Sequence, residues 1–271
     1  MTAEEAQTQT ALQEAQHRIQ TLEADAQKVS EDLRRARDRL ALIGGTARRL
    51  PDPLPTRLNV GCGYDIRPSF LNVDNGDWHS PDLVADITDL PMLPSGHFEE
   101  IVAQDVLEHI ARSKQVSALR EWGRLLAPDG VLKVRVPSLT DMAALAALPD
   151  WQSEEKQSYL INMVYGTQAY PGDYHLCGYT PWTITPHARE AGLIISGASL
   201  KDTWLYDLTF RRAADFDRFS DEEYVQWAYF TELHRLPDPS GTAYWVAQLG
   251  LEKTRAQVLE EMRGCAEHTI G

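Results

Sequence analysis

Two short apolar segments in the first third of the chain end in residues suited to bind a nucleoside. Residues 58–60 run into Gly61 and Gly63, and residues 70–73 run into Asp74. Glycine lets a backbone approach a ligand closely, and a carboxylate can accept hydrogen bonds from both hydroxyl groups of a ribose. The pattern predicts two strands with a nucleoside cleft at their carboxyl ends.

Further apolar segments extend this pattern along the chain. Segments 83–86, 98–105 and 131–136 have the length and composition of strands, and residues 113–126 carry apolar side chains at helical spacing before a turn at 127–130. Strands that alternate with helices indicate a parallel sheet, whose ligands bind at the carboxyl ends of the strands. We therefore expect an α/β fold with its site along that edge.

Taken together, these motifs resemble those of the class I S-adenosylmethionine-dependent methyltransferases. The resemblance covers residues 57–213 and implies a Rossmann-like sheet of seven strands whose last two form an antiparallel hairpin. Segments 193–200 and 205–213 fit that hairpin by length and β-branched content. The motifs are GCG at 61–63, Asp74, AD at 85–86 with LP at 90–91, VLEH at 106–109 and LAPDG at 126–130.

The resemblance also implies S-adenosyl-L-methionine as cofactor and a position for each part of it. Gly61 and Gly63 would contact the methionine portion, and Asp74 would bind the ribose hydroxyls. Asp86 and Ile87 would lie beside the adenine. The implied cofactor-binding residues are Asn59, Gly61, Gly63, Asp74, Asp86, Ile87 and Gln104.

Two departures from the family pattern concern this cofactor site. Asn59 stands where the first strand usually ends in an acid, and an amide cannot pair as a charge with the ammonium group of the ligand. Only ten residues separate Gly63 from Asp74, too few for a helix and a strand, because a typical helix alone takes about eleven. We expect turns at residues 64–69, which disfavours a dinucleotide, whose pyrophosphate rests on a helix N-terminus.

Methyl transfer, the reaction that the resemblance implies, is an in-line displacement that depends mainly on positioning the reactants. It requires no metal, and we expect none. A hydroxyl acceptor would be helped by a general base, and histidine titrates in the suitable range. His109 is the first catalytic candidate because it follows the fourth strand, His175 is the second, and Asp105 lies at the end of that strand.

Residues 165–175 are rich in aromatic and polar side chains and contain two glycines. Such a composition is suited to stacking on, and hydrogen-bonding to, a sugar ring. An ordinary surface loop is the alternative. The predicted substrate-binding residues are Tyr170, Asp173 and Tyr179.

The N-terminal segment carries apolar residues at intervals of three and four positions. They are Leu12, Ala15, Ile19, Leu22, Ala26, Val29, Leu33, Ala36, Leu40 and Ile43. This heptad pattern predicts a coiled-coil helix over residues 1–45. Because the narrow apolar stripe needs cover, we expect a homo-oligomer or a partner helix bound through residues 12–43, with a helix folded back on the protein as the alternative.

Residues 215–271 form a separate predicted unit of helices. The sequence RLPDP at 235–239, Gly241, the YW pair at 244–245 and TRAQV at 254–258 resemble a small helical bacterial module of uncharacterised function. That module is found in surface-associated proteins and appended to glycan enzymes. A helical cap that completes the core is the alternative.

Composition limits the partners of the chain. A formal net charge of −14 repels phosphate backbones, so we expect no nucleic-acid partner. No apolar run reaches the roughly 18 residues that cross a membrane, and the polar start differs from a signal peptide, so we expect a cytoplasmic location. Three cysteines, Cys62, Cys177 and Cys265, lack the spacing of a zinc site or of a disulfide framework.

Three hypotheses about function follow for the predicted domain at residues 51–214. The leading one is a methyltransferase that O-methylates a sugar or glycan hydroxyl in bacterial surface-polysaccharide biosynthesis, by analogy with the coiled coil and the appended module. The second is a non-catalytic adaptor on a degenerate methyltransferase fold, motivated by Asn59 and the missing first helix. The third, a nicotinamide-dependent oxidoreductase, is disfavoured by the short loop.

Overall fold

A computed structural model of the chain describes Arg18, Leu22 and residues 50–169, 172–251 and 253–267. The chain separates into two compact units, Met1–Arg49 and Leu50–Gly271. Apart from two residues, the predicted coiled coil lies outside the described residues, and so does Tyr170. Both therefore stay predictions, and all the elements named below belong to the second unit.

Among the described residues, seven strands form one sheet in the order β3-β2-β1-β4-β5-β7-β6. Strands β1 to β5 pair in parallel, whereas β7 runs antiparallel to both of its neighbours. This order confirms the predicted α/β sheet with a terminal antiparallel hairpin. The strands are β1 Arg57–Val60, β2 Leu71–Asp74, β3 Leu83–Val84, β4 Phe98–Gln104, β5 Leu126–Pro137, β6 Leu193–Lys201 and β7 Leu205–Arg212.

Some of the helices lie between the strands in sequence, and others come after the last strand. None of the described helices combines the length and the apolar character that crossing a membrane requires. Shorter helical turns lie at Leu107–His109, Pro149–Trp151, Ala213–Arg218 and Ala228–Glu232. The α-helices are α1 Arg112–Leu125, α2 Leu139–Ala147, α3 Glu154–Tyr165, α4 Pro181–Glu190, α5 Asp221–Trp227, α6 Pro239–Gly250 and α7 Arg255–Glu267.

Helix α1 connects β4 to β5 and covers one face of the sheet. Its residues Leu119, Trp122 and Leu125 are fully buried in the main apolar core, as expected for apolar positions at helical spacing. The indole Nε1 of Trp122 also donates a hydrogen bond of 2.8 Å to the carbonyl oxygen of Ile87. This bond fixes the segment after β3 against the helix.

The connection from β1 to β2 consists of turns, as the short spacing predicts. Residues 61–70 contain no helix. The turns bring the backbone N–H of Cys62 within 3.2 Å of the carbonyl oxygen of Val73 in β2. Both strands therefore end at the same edge of the sheet, close to each other.

Ion pairs hold the junction between β7 and the C-terminal helices. Asp215 is 2% exposed and accepts two hydrogen bonds of 3.1 Å from the guanidinium of Arg212. Asp129, near the start of β5, accepts hydrogen bonds from Arg211 at 3.1 Å and from Arg218 at 2.9 Å. The segment after the sheet is therefore fixed to the beginning of β5.

The C-terminal helices enclose a small apolar core of their own. Helix α5 also contacts the sheet, since Oε1 of Gln226 accepts a hydrogen bond of 3.2 Å from the backbone N–H of Ala198 in β6. These helices share one compact unit with the sheet, and a domain boundary at residue 215 stays a prediction. The core residues are Val225, Ala228, Tyr229, Trp245, Val258 and Met262.

Candidate active site at the ends of the strands

The two glycines after β1 form a tight turn against the segment that follows β4. Gly61 has a φ of +64° and Gly63 a φ of +46°, values that glycine adopts without steric cost. A Cβ atom at Gly61 would lie 2.6 and 2.8 Å from the two γ-methyl carbons of Val106, whereas one at Gly63 would meet nothing within 4 Å. The turn is packed beside Gly61 and open beside Gly63.

Asp74 lies half-buried at the end of β2, beside this turn. One carboxylate oxygen accepts a hydrogen bond of 2.9 Å from the backbone N–H of Gly63, and the other accepts one of 3.0 Å from Gly76. The side chain therefore joins the turns that follow β1 and β2. Because a carboxylate oxygen has two lone pairs, each keeps one for a further donor.

Asn59 supports the loop that follows β1. The residue is 2% exposed, and its side-chain amide donates to the carbonyl oxygen of Asp65 at 2.6 Å and to Oδ1 of Asn72 at 3.1 Å. Both bonds use Nδ2 of Asn59, and the contact of Asn59 with a cofactor stays a prediction. An asparagine here supplies two donors to the loop that an acid could not supply.

Asp86 and Ile87 lie near Asp74, but their polar groups already have partners inside the protein. Oδ1 of Asp86 accepts from the backbone N–H and the hydroxyl of Thr88 at 2.9 and 2.8 Å. The backbone N–H of Ile87 donates to Oδ1 of Asn75 at 3.3 Å. The structure thus brings the segment after β3 to the residue that follows Asp74.

Gln104 and Asp105 end β4 next to the glycine turn. Oε1 of Gln104 accepts a hydrogen bond of 2.6 Å from Nη2 of Arg67, and Arg67 also pairs with Asp65 at 2.6 Å. Asp105 adopts a φ of +56°, and its N–H donates to the carbonyl oxygen of Arg135 at 3.1 Å. Desolvation of its carboxyl raises the pKa of Asp105 above the ordinary value, and the charge of Arg135 offsets part of this rise. The residue as a whole is exposed.

The two predicted catalytic histidines meet in space. The rings of His109 and His175 lie edge to face with 4.8 Å between centroids. Nδ1 of His109 lies 3.2 Å from the carbonyl oxygen of Tyr174, and Nδ1 of His175 lies 2.8 Å from that of Met163. Since a carbonyl oxygen can only accept, Nδ1 carries a proton in both rings, and in the neutral form of each ring Nε2 therefore offers the lone pair.

Burial and the neighbouring His109 lower the pKa of His175. The ring is therefore neutral at pH 7, since the ordinary pKa of histidine is already about 6.5. Its Nε2 can act as an acceptor of a proton at that pH.

Glu108 joins the histidine pair, although the sequence predicts no role for its carboxylate. It lies in the helical turn Leu107–His109, is 1% exposed and has one carboxylate oxygen with no hydrogen-bond partner among the described residues. Burial raises the pKa of its carboxyl to about 8. In the sequence Glu108 belongs to the VLEH segment and stands beside His109, but neither signal predicts a role for its carboxylate until His175 is brought next to it.

Two of the predicted substrate-binding residues have contacts that support the fold. Tyr179 is 0% exposed, and its hydroxyl donates to the carbonyl oxygen of Leu107 at 3.0 Å, so the prediction that it stacks on a substrate is wrong. The carboxylate of Asp173 is largely buried and accepts a hydrogen bond from the hydroxyl of Thr167, which fixes the loop. Exposed aromatic rings near His175 belong to Tyr165 and Tyr174.

A cavity of about 750 Å³ lies between the sheet and the C-terminal helices. Its lining includes Gln104, Lys133, Asp207, Glu222 and Asp238. Of the predicted site residues, Gln104 lines it, whereas Asp74 and the histidine pair do not. The cavity thus adjoins the candidate site at the end of β4 without containing it.

The strand order and the site at the carboxyl ends of β1, β2 and β4 define a Rossmann-like fold of the class I methyltransferase type. Residues 43–134 match a family model described as a methyltransferase domain, and this range includes the glycine turn, Asp74, Glu108 and His109. Residues 205–269 match a model described as a domain of unknown function (DUF4214). The second match begins at β7, earlier than the predicted helical unit.

Similar solved structures include the O-methyltransferase NcsB1 from neocarzinostatin biosynthesis, in complex with S-adenosylmethionine and 2-hydroxy-5-methyl naphthoic acid. The match has 17% identity and a TM-score of 0.33, and it covers 48% of this chain and 32% of that one. The trans-methyltransferase CalH, in complex with SAH, matches at 15% identity and a TM-score of 0.38, over 58% of this chain and 51% of that one.

A third structure is the 1,6-didemethyltoxoflavin-N1-methyltransferase of Burkholderia thailandensis, with bound 1,6-didemethyltoxoflavin and S-adenosylhomocysteine. It matches at 12% identity and a TM-score of 0.39, over 58% of this chain and 70% of that one. The chain thus spans about a third and about half of the length of the first two proteins. None of the curated proteins matches this chain.

Proposed function

We propose that the second unit is an S-adenosylmethionine-dependent methyltransferase that methylates a hydroxyl oxygen of a sugar or glycan. The observation that carries this proposal is the Asp74 carboxylate, which joins Gly63 and Gly76 at the ends of β1 and β2. The match of residues 43–134 to the methyltransferase domain and the strand order support the class. The acceptor class is inferred from the aromatic and polar composition of residues 165–175 and by analogy with the predicted coiled coil and the appended module.

The residues around Asp74 fit a single nucleoside. Each carboxylate oxygen can accept a hydrogen bond from one ribose hydroxyl in addition to its backbone bond. The space beside Gly63 is open, so a ligand can approach the backbone there. Residues 61–70 form turns and no helix, and they provide no helix N-terminus for the pyrophosphate of a nicotinamide dinucleotide.

The histidine pair is suited to activate an acceptor hydroxyl. When bound, S-adenosylmethionine supplies an electrophilic methyl group. His175 is held by Met163 in the tautomer that leaves Nε2 free, and that atom would accept the proton of an acceptor hydroxyl as its oxygen is methylated. His109 offers a second Nε2 beside it, and Asp105 and Gln104 lie at the end of the same strand.

Several features support a sugar-like acceptor. Tyr165 and Tyr174 are 56% and 46% exposed, and exposed aromatic rings beside a polar site can stack on a sugar ring. The predicted coiled coil and the match at residues 205–269 support a role in surface-polysaccharide biosynthesis by analogy alone. With these features we propose a cytoplasmic enzyme that self-associates through residues 12–43.

Calorimetric titration of the full chain tests the cofactor. We expect saturable binding of S-adenosylhomocysteine and no binding of NAD⁺ under the same conditions. Absence of heat with S-adenosylhomocysteine at millimolar concentration would overturn the proposal. Release of S-adenosylhomocysteine in the presence of monosaccharides and glycans then tests turnover, and binding without turnover on any acceptor would favour the alternative, a non-catalytic adaptor.

A further inference from the structure

We propose that Glu108, His109 and His175 form a binding site for one divalent first-row transition-metal ion, with zinc as the reference ion. The three residues come from the turn after β4 and from the loop after α3. Methyl transfer requires no metal, and the spacing of the cysteines in the sequence predicts no zinc site. Glu108 and His109 lie far from His175 in the sequence, so the three residues come together only in the folded protein.

The first observation is the convergence of the three side chains. One possible ligand atom from each of Glu108, His109 and His175 lies within 4.8 Å of the other two. A tetrahedral zinc ion with bonds of about 2.0–2.1 Å holds its ligand atoms about 3.3 Å apart. Side-chain rotations that close the group by about 1.5 Å therefore suffice to coordinate an ion.

The second observation is the partner of each Nδ1 atom. Histidine ligands in metal sites donate their other ring N–H to a carboxylate, a backbone carbonyl or a water, which fixes the tautomer and the ring orientation. His109 and His175 both have this arrangement, with the carbonyl oxygens of Tyr174 and Met163 as partners. Both rings thus offer Nε2 as a ligand atom.

The third observation is the carboxylate of Glu108. The residue is 1% exposed, and one of its oxygens has no hydrogen-bond partner among the described residues. A buried polar atom without a partner is costly, and a bound cation would satisfy it. Buried carboxylates of this kind are typically paired or coordinate a metal.

The backbone also holds the two halves of the group together. The N–H of Leu176, next to His175, donates a hydrogen bond of 2.7 Å to the carbonyl oxygen of Glu108. This bond fixes the backbone at Glu108 next to the backbone at His175 before any ion binds. A site whose backbone is fixed in advance needs only side-chain adjustment to bind a metal.

The donor set indicates the class of ion. Two imidazole nitrogens and one carboxylate suit zinc, cobalt, iron or manganese, whereas magnesium and calcium prefer oxygen ligands alone. Three protein ligands leave a coordination position open. This part rests on the proposed function: an acceptor hydroxyl bound there would lose its proton to solvent more readily, and the ion would replace the direct base role of the histidines.

Cobalt titration of the full chain tests the site without any assay of activity. The protein is freed of affinity tags and dialysed against a chelator, and Co²⁺ binding is followed by its visible absorption bands. We expect one ion per chain, displaced by Zn²⁺ and not by a large excess of Mg²⁺. Absence of saturable cobalt bands, together with absence of saturable Zn²⁺ heat in calorimetry, would overturn the proposal.

Single substitutions assign the ligands. We expect Glu108→Gln and His175→Ala each to weaken Co²⁺ binding by about tenfold or more, while His187→Ala, the matched control in α4, leaves binding unchanged. Circular dichroism without metal shows whether each variant is folded, and His175→Ala decides the case if Glu108→Gln does not fold. Equal binding by the wild type and the folded variants would contradict the site.

Metal binding and cofactor binding are measured separately. Zn²⁺ is titrated in the absence of S-adenosylhomocysteine, and S-adenosylhomocysteine is titrated into the chelator-treated protein. Failure of the first titration overturns the metal site alone. Failure of the second overturns the proposed methyltransferase function and leaves the metal site intact.

Discussion

His109 and His175 lie edge to face, with their ring planes at 81° and their centroids 4.8 Å apart. One residue follows β4 and the other lies in the loop after α3, so their contact depends on the packing of the whole domain. The backbone bond from Leu176 to Glu108 connects the same two segments. A substitution in either segment should therefore alter the position of the other.

Tyr179→Phe tests how this loop is held. The substitution removes the hydrogen bond to the Leu107 carbonyl oxygen, and we expect the free energy of unfolding to fall by about 1 kcal/mol in urea denaturation. Tyr174→Phe, at an exposed ring, is the control and should leave stability unchanged. Unchanged stability of Tyr179→Phe would mean that the buried hydroxyl contributes nothing to the fold.

Asp74→Asn tests the proposed ribose contact. The variant loses the charge and one backbone acceptor, and a hydrogen bond to a charged group contributes about 1.5–3 kcal/mol. We expect the dissociation constant for S-adenosylhomocysteine to rise by about tenfold or more in calorimetry. Asp77→Asn, at an exposed position nearby, should bind like the wild type, and an unchanged constant for Asp74→Asn would contradict the assignment.

Gly61→Ala and Gly63→Ala form a matched pair that separates strain from collision. Both positions have positive φ, which costs an alanine about 1–2 kcal/mol. Only Gly61→Ala also meets Val106, and overpacking adds about 1–3 kcal/mol. Thermal and urea unfolding should therefore show the larger loss at Gly61, partly recovered by Val106→Ala in the same chain; equal losses would show that the contact yields easily.

Much of the fold could be predicted from the sequence because its signals are local. Apolar runs followed by Gly61, Gly63 and Asp74 marked the ends of strands without reference to distant residues, and the ten-residue gap predicted the turns. Burial by residues that are distant in sequence could not be predicted in this way. Tyr179 looked like a loop aromatic residue but lies in the core, and Glu108 gained its neighbour His175 only through the packing of a remote loop.

Asn59→Asp tests whether the family's usual acid is compatible with this site. In the structure an aspartate would lose both donated bonds and face the carbonyl oxygen of Asp65 and Oδ1 of Asn72. We expect a loss of about 3 kcal/mol in the free energy of unfolding, because an unpaired charge would be buried. Asn59→Ala, which removes the bonds without adding a charge, should lower the free energy of unfolding by a smaller amount. An Asn59→Asp variant as stable as the wild type would contradict the role of Asn59 as a buried donor to the loop.

Asp215→Asn tests the ion pair at the junction between the sheet and the C-terminal helices. The hydrogen bonds from Arg212 lower the pKa of Asp215. A carboxyl whose pKa is lower in the folded state contributes stability above its unfolded pKa of about 3.9, and this contribution is lost as the pH falls through the folded value.

At pH 7 we therefore expect Asp215→Asn to lower the free energy of unfolding by about 2 kcal/mol, since it removes the charge of the buried partner of Arg212. The difference from the wild type should shrink below about pH 4, because the carboxyl of Asp215 then takes up a proton in the unfolded chain before it does so in the folded protein. Arg218→Ala is the control, because Arg218 is 58% exposed and 3.7 Å from Asp215. Its closer pair with Asp129, at 2.9 Å, is exposed on both sides, and exposed pairs contribute about 0–1 kcal/mol. Urea denaturation at pH 7, 5 and 3.5 measures all three proteins. A difference that is constant over this range would show that Asp215 stabilises the junction by shape and neutral hydrogen bonds, since a contribution from its charge must change with pH.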